Sequence, residues 1–76
     1  MTASQIQNLL LQSFPDSDVL VTDLTGQENH FEIRILAQQF AGLSRIAQHQ
    51  AVMKVFDDQL KSGEIHALAL KTFPKG

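Results

Sequence analysis

Three histidines, His30, His49 and His66, are the side chains in this sequence best suited to bind a metal, and there is no cysteine beside them. His66 stands near the head of Ile65-His66-Ala67-Leu68-Ala69-Leu70, an otherwise apolar run. An imidazole there is either hydrogen-bonded in the interior or a ligand, because an aliphatic residue would fill the place with no polar group to satisfy. His30 follows Thr25-Gly26-Gln27-Glu28-Asn29 and reads either as a solvated loop residue or as a second donor. His49 falls on a helical apolar stripe and reads as a packed, hydrogen-bonded imidazole rather than a ligand. Two imidazoles fall short of the three or four protein ligands of a zinc centre, so any metal they hold is completed by another molecule. In Rieske-type centres two histidines replace two thiolates on one iron of a [2Fe–2S] cluster. Two histidines from this chain and thiolates from a partner would make such a set, with acid competing because ligation uses the neutral ring.

The elements that must position these residues follow from periodicity. Thr2 or Ser4 caps a first helix with Ile6, Leu9, Leu10 and Phe14 at helical spacing, closed by Pro15. Val19, Val21 and Thr22 favour a strand over 18–24, and turn chemistry at 25–29 leads into a second strand from His30 to Ile35, where Phe31, Ile33 and Ile35 alternate with polar residues. These two strands are expected to form a hairpin. Gly42 breaks the chain and Ser44 caps a second helix whose stripe is Ile46, His49, Val52, Met53, Phe56 and Leu60, ending at Ser62-Gly63. A third strand runs from Glu64 to Thr72, with Pro74 beyond it. The order is helix, β-hairpin, helix, strand: an α+β two-layer sandwich with a three-stranded mixed sheet, one domain over residues 1–76.

A helix crossing between the second and third strands makes them parallel, so both begin at one end of the sheet. At about 4.8 Å between strands, His30 and His66 arrive at a common rim. Alternation puts His66 on the face of Leu68 and Leu70 and His30 opposite Phe31, so the two meet only if His30 bends out of its strand, as the glycine-containing loop permits.

Size and charge bound the rest. A domain of roughly 60 residues buries only about 60% of its unfolded surface, so a thin core favours partners or a homodimer. The net charge is −2, divided as −4 over residues 1–42 (Asp16, Asp18, Asp23, Glu28 and Glu32 against Arg34) and +2 over 43–76 (Arg45, Lys54, Lys61, Lys71 and Lys75 against Asp57, Asp58 and Glu64). Arg45, Lys54, Lys61 and Lys71 are the candidate phosphate contacts of a DNA-binding regulator, the alternative function. No apolar stretch nears the roughly 18 residues of a membrane span, and a cytoplasmic location is expected. Ser44 has no His/Asp arrangement that spacing supports, so no enzyme is expected.

Taken in order, Asp23-Leu24-Thr25-Gly26, His30-Phe31-Glu32-Ile33, Phe40-Ala41-Gly42-Leu43-Ser44-Arg45, His49 and Ile65-His66-Ala67-Leu68 resemble the BolA-like pattern over nearly the whole chain, in the subgroup with a histidine in the loop. The resemblance implies a fold related to the type II KH domain. It also implies association with a monothiol glutaredoxin, in heterodimers bridged by a [2Fe–2S] cluster or formed without one. On that footing His66 and His30 are the cluster ligands, and the thiolates come from the glutaredoxin and its bound glutathione. No cofactor is then expected in the isolated chain, and His49 is structural. Some members are described as transcriptional regulators. Here Gln48 and Gln50 stand where arginines often flank the helix histidine, and no Gly-X-X-Gly loop is present, which argues against nucleic acid.

Overall fold

A computed structural model describes residues 1–75 of the chain. Helix α1 (Ala3–Ser13) starts at Thr2, whose hydroxyl accepts from the Gln5 amide while the Gln5 side chain accepts from the Thr2 amide, a reciprocal cap. Its apolar face, Ile6 and Leu10 with Phe14 just past its end, is buried. Strands β1 (Asp18–Asp23) and β2 (His30–Ala37) pair antiparallel, and β3 (Ala67–Pro74) pairs parallel to β2, giving the order β1-β2-β3. The hairpin, the parallel crossover and the α+β class are thus as the sequence implies.

Phe31, Ile33, Ile35 and Ala37 are fully buried on one face of β2, where they meet Ile6, Leu10, Val52 and Phe56 from the helices. Among the described residues no helix covers the other face of the sheet, and Leu20, Arg34, Leu36, Ala69, Lys71 and Phe73 are exposed there. No helix of the described residues is long and apolar enough to cross a membrane.

Several boundaries differ from the sequence reading: β1 ends at Asp23 rather than Leu24, and β2 continues past Ile35 to Ala37. A 3₁₀ turn (Gln38–Phe40) follows β2 and buries Phe40. The second helix is two: α2 (Arg45–Val55), capped by Ser44, and α3 (Asp57–Ser62), divided at the buried Phe56. Asp57 and Asp58 suit the positive end of α3, and Gly63, at φ 84°, ends it in the left-handed region that glycine enters without penalty. The third strand begins at Ala67, not Glu64, because Ile65 turns inward beneath α3, its amide bonding the Gln59 carbonyl at 3.1 Å. It also runs through Pro74; this edge position tolerates proline, and the ladder passes to Lys75, whose amide donates to the Ala37 carbonyl at 3.1 Å.

The expected stripe of the second helix is also rotated. Ile46 is 71% exposed and Met53 is exposed, whereas Gln48 is buried beside Val52. Gln48 is held from both ends: Thr72 Oγ1 donates to its Oε1 at 2.8 Å, and its Nε2 donates to the Leu43 carbonyl at 2.9 Å. This bond ties α2 to β3 across the core. Thr72→Val strands a buried acceptor and is expected to destabilise by about 1–3 kcal/mol. Adding Gln48→Met should then cost less than the two single changes summed, as urea unfolding of the cycle would read; strict additivity would mean the bond is idle.

Candidate metal centre at the rim of the sheet

The loop between β1 and β2 is latched by one carboxylate. Asp23 Oδ1 accepts from the amides of Thr25 and Gly26 at 3.2 and 2.9 Å, and Oδ2 accepts from the Glu28 amide at 3.0 Å. These bonds hold the backbone through Gly26 and Glu28, both at positive φ (76° and 62°). The loop then ends at Asn29 in a fixed place. Asp23→Ala is expected to cost about 1–3 kcal/mol and to raise amide exchange selectively at Thr25, Gly26 and Glu28; uniform exchange across the hairpin would contradict the latch.

Asn29 serves both histidines. Its side-chain Oδ1 accepts from Thr25 Oγ1 at 3.0 Å and lies 2.9 Å from His30 Nδ1. An acceptor on that side places the proton on Nδ1 and leaves the Nε2 lone pair as the donor His30 can offer. The backbone carbonyl of Asn29 accepts from the amides of His66 and Ala67 at 2.8 and 3.3 Å. One residue therefore orients the first imidazole through its side chain and anchors the second through its backbone.

The two rings meet at the rim, with centroids 5.6 Å apart and planes at 88°. Edge-to-face rings pack at this distance, and two imidazoles bound by one tetrahedral metal at about 2.1 Å have ring centres about 5.3 Å apart, so the observed separation is compatible with chelation. His66 is exposed and His30 partly buried, so the pair is reachable from outside. Strand alternation alone would let the two meet only if His30 bent out of its strand. Instead His30 stays in β2, paired with Ala67, and His66 lies one residue before β3, where strand alternation no longer dictates its side. Among the described residues no third His, Cys, Asp or Glu joins the pair in a metal-sized group. The donor set fits half of a two-histidine, two-thiolate cluster site and falls short of a resident zinc site.

His49 departs from its expected role. It is partly exposed, makes no side-chain hydrogen bond to a described residue, and lines a groove with Arg45, Leu70, Lys71, Thr72 and Phe73. The four candidate phosphate contacts are dispersed. Arg45 and Lys71 share that groove, and Lys71 pairs with Glu32 at 3.3 Å. Lys54 lies nine residues after Arg45, about half a turn around α2 by helical periodicity. Lys61 on α3 is 2.8 Å from Asp57, whose hydrogen bond and charge push the ammonium pKa up. Asp23 and Asn29 were not singled out from the sequence as site residues, although Asp-X-Thr-Gly is recognisable Asx-turn chemistry.

Comparison with known proteins agrees with this architecture. The family model for BolA-like proteins matches residues 11–76. An uncharacterized protein of Rickettsia prowazekii is 35% identical over 72 residues, covering 95% of this chain and 92% of that protein. The DNA-binding transcriptional regulator BolA of Vibrio cholerae is 40% identical over 48 residues, which is 63% of this chain and 44% of that protein. Among solved structures, the BolA domain of SufE1 from Arabidopsis thaliana matches with a TM-score of 0.85 at 28% identity, over 95% of this chain and 90% of that one. With the family pattern spanning the hairpin, both ends of the crossover and the histidine-bearing rim, the chain belongs to the BolA-like family.

Proposed function

We propose that this protein is a non-catalytic adaptor in iron–sulfur cluster handling, which binds a monothiol glutaredoxin and co-ligates a bridging [2Fe–2S] cluster through His30 and His66. The observation that carries the reading is the paired imidazoles, 5.6 Å apart at an accessible rim, with no further donor of their own chain grouped beside them. Such a pair is half a donor set, and a partner bearing thiolates, here the glutaredoxin and its glutathione, supplies the other half. The cluster brings redox and transfer chemistry when bound. The protein's part is to present two neutral nitrogens, Nε2 of His30 among them, from a loop that Asp23 and Asn29 hold in place.

Anaerobic reconstitution of the chain with a monothiol glutaredoxin, glutathione, iron and sulfide tests it. A visible circular dichroism spectrum distinct from that of the glutaredoxin alone supports the reading. The same spectrum with and without this chain removes it.

A second reading, a DNA-binding regulator, draws on the name of the Vibrio cholerae relative and on Arg45 and Lys71 among the residues lining one groove. Phosphate contacts make affinity fall steeply with salt, so a duplex titration between low and moderate salt separates the two readings. No binding at low salt discards it.

A further inference from the structure

The groove beside β3 has the features of a docking site for a peptide strand. β3 is an edge of the sheet, so every second residue along it presents an unpaired N–H and C=O outward. Its residues Leu70, Lys71, Thr72 and Phe73 form one wall of a groove of 240 Å³, and Arg45 and His49, one turn apart on α2, form the other. Ile46 and Met53, on the neighbouring side of α2, are exposed large apolar residues. Arg45 makes no ion pair with a described residue, whereas Lys71 is paired with the partly buried Glu32 on the open face of the sheet.

We propose that this groove binds an extended, acidic segment of a partner protein, which adds to β3 as a fourth strand with its carboxylates on the α2 side, toward Arg45, and its alternate residues beside Phe73 on the open face of the sheet. Main-chain groups of both kinds along β3 call for a partner that supplies donors and acceptors alike. A peptide backbone does so at about 4.8 Å, whereas a phosphodiester backbone offers acceptors only. Charge selects against a second copy, because β3-to-β3 pairing brings Lys71 and Arg45 toward their own counterparts, and like charges across a strand pair are unfavourable. The surface is separate from the histidine rim: the groove begins four residues beyond His66, toward the far end of β3. It therefore stands or falls independently of cluster ligation.

The probe is a fluorescein-labelled peptide alternating valine and glutamate, titrated by anisotropy and mapped by amide chemical shifts on the full chain. Binding should perturb Leu70 to Phe73 together with Arg45 and His49, and leave His30 and His66 unmoved. Methylating alternate amides of the peptide should abolish binding. Arg45→Glu should weaken it roughly tenfold or more, and should bind the lysine-for-glutamate peptide better than the wild type does. This variant keeps a well-folded α2, since an acid in a first helical turn favours the helix; Arg45→Gln provides a second check, with far-ultraviolet circular dichroism on both. Equal affinity for the methylated peptide, shifts confined to another surface, dimerisation through β3, or groove shifts caused by oligo-dT but not by the peptide would each overturn the proposal.

Discussion

His66→Ala is expected to abolish the cluster signature of the mixed complex with a glutaredoxin while leaving the fold intact. Removing groups that merely orient a metal ligand costs about 10–100-fold in metal affinity, so loss of the donor itself should exceed that range. His66 is exposed and its anchoring to Asn29 runs through the backbone, so the substitution loses only the surface edge-to-face contact with His30, and its effect on stability should stay within about 1 kcal/mol. Loss of the spectrum then reports ligation and not unfolding. His30→Ala should have a comparable effect. His66→Cys should retain a cluster with an altered spectrum and lower potential, because thiolate in place of imidazole on one iron lowers it. His49→Ala, in the groove beside β3, should leave the spectrum unchanged. A wild-type spectrum in His66→Ala, or loss of it in His49→Ala, would count against the assignment of the rim.

Phe31→Ala is expected to bring the domain close to unfolding. Phe31 is fully buried in the central strand, between Asp23 on β1 and Leu68 on β3 in the pairing register. Truncating a buried phenylalanine costs about 3–5 kcal/mol. A chain of 76 residues has a total stability of about 4–11 kcal/mol at the usual 0.05–0.15 kcal/mol per residue. The change therefore removes a large share of the whole, and urea unfolding should show a midpoint shifted far toward zero or no baseline at all. Because His30 precedes Phe31, the variant should also lose cluster binding. A cost below 1 kcal/mol would mean that this core closes over the gap.

The sequence made the sheet legible because two signals agreed. Alternation in 31–35 marks one face of β2, and a helix between β2 and β3 forces them parallel, which carries His30 and His66 to one rim whatever their side chains do. What alternation could not tell was the side on which His66 lies, since that depended on where β3 starts, and Ile65 is drawn under α3 by tertiary packing. The second helix was misread for a related reason. Ile46 and Met53 match a helical stripe in type and spacing, yet the inward position between them is filled by Gln48, whose polarity is satisfied by Thr72 and Leu43. A buried amide with distant partners leaves no local trace. Neither does the reach of Asn29, because a carbonyl that anchors a residue 37 positions away in the sequence is visible only once the strands are assembled.

Surface loops ordinarily absorb insertions and deletions, because little depends on where any one of their residues falls. The β1–β2 connection is an exception, since Asn29 orients His30 through its side-chain oxygen and anchors His66 through its backbone carbonyl. Adding or deleting a single residue between Asp23 and Asn29 would put both imidazoles out of register at once while sparing every buried side chain of the core. In this segment the number of residues matters as much as their kind.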